Sequence, residues 1–431
     1  DSKDGMMRIA SSQDLVKFKE RVESGELALG AVLTADIDMS DICGEAIGSW
    51  EPIRQYAGTF DGDNHSIKNL YMNNVDGFTG LFGEVLEESV IKNVTMDNFQ
   101  IISVGEAGSL AGISYGTVEN CHSNGQLTAT GRISGGLCGT VEVMVNCSNR
   151  GTVNGVETTV GGVAGEVRGT MEKCWNEGTV ESTGEYAGGV AGSLAKGNKS
   201  SLLQVFATDC YNTGKVTNEA YGAGGVTGYA NNFVINRCYN LGEVSGLVEA
   251  GGIVATGTPV RGADAKPVIE NCYNEGAISA INWTGTFKYG KKIVQSQHAG
   301  GIAAWMGGCI ANCYNRGELS VSAGDRYGGD VAGIGDAIIV ANSYACGSLT
   351  AAEDSMKGGI GGLSSEAVIS SFYLEGTVND EPGSPEVFFT DGSLLSQLQS
   401  FSTDSVEDDA YHLELSGWVQ GADGMPCFDW E

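Results

Sequence analysis

Two short strings alternate along the chain at a nearly fixed interval, and that interval limits the fold more than any other property of the sequence. The first is Gly-Gly-apolar-x-Gly, as in Gly135-Gly136-Leu137-Cys138-Gly139, with further copies at 161–165, 188–192 and 224–228 and looser ones starting at Gly251, Gly300, Gly328 and Gly358. The second is apolar-x-Asn-Cys-Tyr-Asn-x-Gly-x-apolar, fullest from Ile269 to Ile278 and recurring around Cys174, Cys238 and Cys313. The starts at 108 (as Gly-Ser), 135, 161 and 188 lie 27, 26 and 27 residues apart. A fixed period of this size means a solenoid or a propeller. The segments between glycines are four to six residues long, with alternating or β-branched apolar positions, which reads as short strands. Three such strands per period make one turn of a parallel β-helix, whereas a propeller blade needs about 40 to 45 residues and four strands. The expected fold is therefore all-β: a single-stranded, right-handed parallel β-helix with about ten degenerate repeats in roughly 12 rungs.

Each recurrent residue has a physical role in such a coil. The 66 glycines suit tight corners and close stacking of rungs, and the 6 prolines leave no room for a collagen or Pro-rich reading. The second Asn of the motif (Asn149, Asn176, Asn212, Asn240, Asn274, Asn315) should form a ladder, each amide bonding the next rung and satisfying backbone groups that the bend leaves unpaired. Seven of the 12 cysteines share one repeat position: Cys121, Cys147, Cys174, Cys210, Cys238, Cys272 and Cys313. Rungs about 4.8 Å apart hold stacked Cβ atoms wider than the roughly 3.8 Å a disulfide wants, so a column of buried, reduced thiols is expected. Cys43 and Cys427 lie outside it, with no state assigned. An aromatic column follows the cysteines in the repeat: Trp175, Tyr211, Tyr239, Tyr273 and Tyr314, continued by Tyr344 and Tyr373. It would either stack sugar faces or pack ring on ring, and packing is the expectation taken.

Open solenoid ends expose unpaired strands and need lids. Leu15, Phe18 and Val22 share one helical face in a segment ending at Gly25, which gives an N-terminal cap over 1–25. The repeats then occupy 26–380, and 381–431, which lose the repeat, form a C-terminal cap. The strings Gly-Gly-Val-Ala-Gly and Asn-Cys-Tyr-Asn-Glu-Gly resemble the GLUG repeats of bacterial surface proteins, which also accompany metallopeptidases of the immunoglobulin A protease family. The lead-in (Ser12-Gln13-Asp14-Leu15, Leu33 to Asp38, Trp50-Glu51-Pro52-Ile53, Gly58 to Ile67) and the ending from Gly417-Trp418 to Trp430 fit the same resemblance, which thus spans nearly the whole chain. It implies the fold and a place at the cell surface or outside the cell. The peptidase motif H-E-x-x-H is absent and His65, His122, His298 and His412 are far apart in sequence, so that activity does not carry over.

Charge excludes further classes. With 54 acidic and 24 basic residues the net charge is −30, opposite to the basic footprint that nucleic acid or anionic lipid requires. No run of 18 apolar residues exists, so no membrane insertion is expected. The opening residues, Asp1 to Gly5, lack a signal peptide's apolar region and suit a mature or trimmed form. The string Gly112-Ile113-Ser114-Tyr115-Gly116 matches a nucleophile elbow but falls on a repeat corner. Asp36, Asp38 and Asp41, or Asp61 and Asp63, lack full calcium-loop spacing and read as turns. A polysaccharide lyase or hydrolase would need carboxylates clustered on adjacent rungs, and the aligned column Gln126, Thr152, Thr179, Lys215, Glu243, Ala277, Glu318 shows none. No catalytic residue, metal or cofactor is expected.

Three insertions interrupt the period, at about 194–204, 256–268 and 281–299. The first two should leave from the same corner, two rungs apart. Together the three carry Lys196, Lys199, Arg261, Lys266, Lys288, Lys291 and Lys292 against Asp264 alone, seven positive charges less one, or +6. Trp283, Phe287 and Tyr289 add aromatic surface. A basic, aromatic patch on an acidic body suits an anionic glycan or a host surface protein. The function read from the sequence is thus a monomeric extracellular or cell-surface binding module, an adhesin recognising host or dietary glycan. A β-helix enzyme acting on polysaccharide and a passive spacer are the alternatives.

Overall fold

The computed structural model describes residues 5–156, 159–195, 202–280, 287–289, 292–294, 297–322, 330–351, 356–362, 365–374, 387–389, 394–406 and 411–431. Strand accounts for 52 % and helix for 6 %, in parallel stacked coils that make a β-solenoid of about 12 turns, as the repeat dictates. The chain divides into two compact units, Asp1–Ala195 with Cys210–Lys215, and Lys196–Asp209 with Val216–Glu431.

The first unit opens with a short edge strand, Met7–Ile9, and helix α1, Ser12–Glu23. The helix starts where the Ser11 hydroxyl accepts the Asp14 N–H, and the chain leaves it at Gly25, whose φ of +118° suits glycine. Its Leu15, Phe18 and Val22 are buried, with Phe18 edge-on to Tyr56 at 5.6 Å, so the helix packs its apolar face against the opening coils. In successive coils the register sets like over like: Cys138 beside Ala164, Asn149 beside Asn176, Val153 beside Val180, Gly161 beside Gly188. Inside, Leu137, Val163 and Val190 share the repeat's apolar position and Met144 lies beside Met171, all fully buried. Each such side chain contributes about 1.5–3 kcal/mol. The corner glycines leave no alternative: a Cβ on Gly161 would sit 1.9 Å from the Ala164 carbonyl oxygen.

Two bends flank each column cysteine. The residue before it adopts a left-handed conformation, with φ of 52°, 53° and 53° at Asn120, Asn146 and Lys173 in the first unit, and 51°, 55° and 53° at Arg237, Asn271 and Asn312 in the second. This conformation costs most L-residues about 1–2 kcal/mol and Asn less, which explains the Asn before Cys. The second Asn, two residues after the Cys, forms the expected ladder. In the first unit the Asn149 amide donates to Asn176 (2.9 Å) and Asn176 to Asn212 (2.9 Å); in the second, Asn240 donates to Asn274 (2.8 Å) and Asn274 to Asn315 (2.7 Å). The same amides clamp their own bend, Asn176 donating to the Gly178 carbonyl at 2.9 Å and accepting its N–H at 3.2 Å. All 12 cysteines are free thiols, and the seven of the column are fully buried. Their S–H groups lie against the carbonyl two residues back, as at Cys147 to Val145 (3.3 Å) and Cys313 to Ala311 (3.1 Å). Cys43 and Cys427 are unpaired as well.

In the second unit the coils repeat this plan, with Tyr273 beside Tyr314, Ile278 beside Leu319 and Val254 beside Ala303. Its closing residues hold a short helix α2, Leu394–Gln399, and an antiparallel pair of strands, Trp418–Gln420 and Pro426–Phe428. They lie along the flank of the coils. Tyr411, Leu413 and Leu415 pack over Val268, Ala311 and Ala341 on one side of the left-handed bend, and Trp418, Phe428 and Trp430 pack over the tyrosine column on the other.

Candidate functional site

The three insertions carry the residues that the sequence nominates. Lys196, Lys199, Trp283 and Lys291 lie outside the described residues. Lys288, Tyr289 and Lys292 fall on a two-stranded antiparallel hairpin, Phe287–Tyr289 with Lys292–Val294, an element with no counterpart in the repeat. The second insertion leaves strand Val254–Thr258 and returns at Val268–Glu270. On it Arg261 is exposed, while the Lys266 ammonium stands 5.1 Å over the Tyr411 ring, held against the closing segment.

The aromatic column is ring packing. Tyr273 lies 4.9 Å from Tyr239 and 4.8 Å from Tyr314, within 6° of parallel, and Tyr314 lies 5.2 Å from Tyr344. Rings stacked along the rung direction spend their faces on each other and offer only edges outward. A sugar needs a face, so this column offers no stacking platform. Its outer edge is also covered. Trp418 sits 5.7 Å from Tyr344, Phe428 5.6 Å from Tyr314, and Arg316 lies 4.6 Å over Tyr314 while bonding Asp423 at 2.9 Å. Burial pushes the Tyr273, Tyr314 and Tyr344 hydroxyls far above their ordinary range. In the first unit Trp175 and Tyr211 stack at 5.9 Å and stay half-buried.

Catalytic candidates resolve as structure. Ser114 is buried inside strand Ala111–Glu119, not on a strand-to-helix turn, and bonds the Gly116 carbonyl. Asp36 is held down to about 2 by Lys68 at 2.8 Å and the Ser66 N–H, and Asp38 accepts from Asn69 and the Ser40 N–H, so these carboxylates fasten turns. His65 stands 3.5 Å from Asp36, and His122 shares a 2.8 Å hydrogen bond with Ser148. Among the described residues no group of three or more His, Cys, Asp or Glu could hold a metal ion.

Sequence reasoning passed over two features. The Asn before four of the column cysteines, with Asn93 at the same phase, forms a second ladder running the opposite way: Asn146 donates to Asn120 (2.9 Å), Asn120 to Asn93 (2.8 Å) and Asn312 to Asn271 (2.7 Å). Its recurrence one position from the Cys was the available signal. Two buried acids are the other. Glu249 accepts from Tyr221 (3.0 Å) and Thr256 beside His298, its neighbour in register, and burial raises its pKa. Glu270 is pushed up to about 7 by burial, despite accepting the Glu414 N–H at 2.8 Å. Glu270 is met by chain 144 residues away, where no local pattern reports it.

These features define a class: a repeat-built β-solenoid with irregular insertions and, in its second unit, a covered flank. No family model matches the sequence, and the GLUG resemblance rests on its motif residues. Among known proteins the chain is 38 % identical over 125 residues to "Halomucin" of Haloquadratum walsbyi, covering 26 % of this chain and 1 % of that protein. It is 29 % identical over 96 residues to a "Putative Gly-rich membrane protein" of Evansella cellulosilytica, covering 20 % of this chain and 11 % of that one. Among solved structures it is similar to a putative immunoglobulin A1 protease from Bacteroides ovatus at 17 % identity and a TM-score of 0.29, covering 100 % of this chain and 94 % of the other. No described helix is long and apolar enough to cross a membrane.

Proposed function

We propose that the chain is a non-enzymatic binding module of an extracellular or cell-surface protein, an adhesin-type unit whose insertions engage anionic glycan. The observation that carries this reading is the segregation of charge: +6 on three insertions of a chain whose total is −30. The hairpin at Phe287–Val294 supports it, because the strands hold three of the nominated residues on an element that the coil itself does not need. The names of the two proteins matched over short stretches, a mucin and a Gly-rich membrane protein, fit a surface setting.

A glycan array at low ionic strength, where charge is least screened, tests it. Sulfated or sialylated glycans bind and neutral ones do not, and the triple variant K288E/K291E/K292E loses the anionic signal while keeping its melting temperature. An array on which no anionic glycan binds the unmodified protein rejects the reading and leaves a passive spacer.

A further inference from the structure

In the second unit the solenoid holds a peptide. The extended closing segment crosses the left-handed bend, where the bend's own side chains bond its backbone. The Glu414 N–H donates to the Glu270 carboxylate (2.8 Å) and the Asn271 amide donates to the Glu414 carbonyl (2.6 Å). Two residues on, the Ser416 N–H donates to Asn271 Oδ1 (2.7 Å) and the Asn312 amide donates to the Ser416 carbonyl (3.1 Å). A primary amide makes this possible: one N–H builds the rung-to-rung ladder while the second N–H and the oxygen's remaining lone pair point outward. Backbone recognition of this kind reads an extended chain as a sheet edge does, and pockets for alternate side chains select it. Here Leu413 and Leu415 enter the apolar patch on one side and Trp418 meets the aromatic column on the other.

The first unit repeats the same bend with the same chemistry and, among the described residues, without a cover. Asn93, Asn120 and Asn146 form the ladder, and Asn93 ends it on Asp61 at 2.9 Å. They are half-buried, where Asn271 and Asn312 are buried to 1 % and 0 % exposure. Among the described residues no acceptor takes the second N–H of these three amides. The flanks match in part. Val143 and Val145 hold the register positions that Ile339 and Ala341 hold in the second unit, Thr117 and Glu119 hold those of Cys309 and Ala311, and His122, Ser148 and Trp175 hold those of the covered tyrosines.

We propose that this bend of the first unit is a docking groove for an extended segment of a partner polypeptide, with apolar residues at alternate positions followed by an aromatic one. The segment lies across Asn93, Asn120 and Asn146 as Tyr411–Trp418 lies across Asn271 and Asn312. This surface is separate from the insertions and stands whatever they bind.

The test uses the full chain and a synthetic peptide with the sequence of residues 411–418, carrying a fluorophore for anisotropy and a photo-crosslinker for mapping. The peptide binds saturably, one per chain, and crosslinks within 90–148. V145R, on the half-buried flank, and N120G, which keeps the left-handed bend but removes the amide, each weaken binding at least tenfold. Both variants retain the far-ultraviolet spectrum of the parent, which separates lost binding from lost folding. Absence of saturable binding, unchanged affinity in both variants, or crosslinks confined to 268–342 (exchange with the protein's own segment) overturns the proposal. Concentration-dependent dimers that the peptide dissolves would assign the groove to a second copy and overturn it equally.

Discussion

Asn176 shows how much one side chain carries in this fold. It is fully buried, accepts from Asn149, donates to Asn212 and to the Gly178 carbonyl, and accepts the Gly178 N–H. Replacing it by Ala strands several buried partners at once, each worth about 1–3 kcal/mol. Asn176→Ala should therefore destabilise the first unit by about 3 kcal/mol or more, read as a lower denaturant midpoint by circular dichroism; a loss below about 1 kcal/mol would mean that water replaces the ladder. The column thiols make a second prediction at this scale. Burial raises the pKa of Cys121, Cys174 and Cys272, removing the thiolate that reacts. Iodoacetamide should leave the column unlabelled in native protein and label it fully in denaturant without reductant, and mass spectrometry of native protein showing a disulfide between column cysteines would refute this. Both ladders and the thiol column share one cause, a residue type repeated at a fixed phase. The sequence exposed the Asn149 ladder and the cysteines because their job is the same in every rung. It hid the left-handed role of Asn120 and Asn146, since positive φ leaves no mark beyond a preference for Asn that Lys173 and Arg237 break.

At the scale of elements, helix α1 was legible because amphipathic spacing and the stop at Gly25 are local facts, whereas the course of 394–406 and 411–431 was not. That segment has no period, and its partners lie more than a hundred residues away, as Glu414 from Glu270 and Glu431 from Tyr314. Its attachment gives a pH dependence with a definite sign. Glu270 titrates near 7 in the folded unit, above the ordinary carboxylate value it regains on unfolding. A raised pKa means that the folded state holds its proton more tightly, so this contribution is fully present below the unfolded pKa and is lost as pH rises through about 7. Glu249 and Glu431 shift in the same direction, so the informative quantity is the difference made by one substitution. Glu270→Gln keeps an acceptor for the Glu414 N–H and removes the titration. Between pH 5 and 8 it should flatten the fall in stability seen by Trp fluorescence, narrowing it by up to about 3 kcal/mol. A parent protein equally stable at both ends of that range would remove Glu270 as the cause.

For the whole molecule, net charge and local charge make opposite demands on salt. A surplus of 30 negative charges repels itself, and the repulsion is strongest in the compact state. Raising ionic strength shortens the screening length from about 30 Å at 0.01 M to about 3 Å at 1 M, and should raise the melting temperature steadily over that range. Attraction between the +6 insertions and an anionic glycan depends on the same unscreened field and should weaken over the same titration. Stability and glycan affinity should therefore move in opposite directions as sodium chloride is added. The groove of the first unit gives the contrast, because apolar side chains and backbone hydrogen bonds carry it and neither is screened appreciably at these concentrations. Its peptide affinity should stay within about threefold across the range while glycan affinity falls by more than tenfold. Calorimetry with anisotropy at four salt concentrations measures all three quantities on one preparation. A melting temperature that drops with salt would show that specific ion pairs, such as Arg316 with Asp423 and Glu275, outweigh the overall repulsion. A glycan affinity indifferent to salt would show that the lysines are not what the glycan meets.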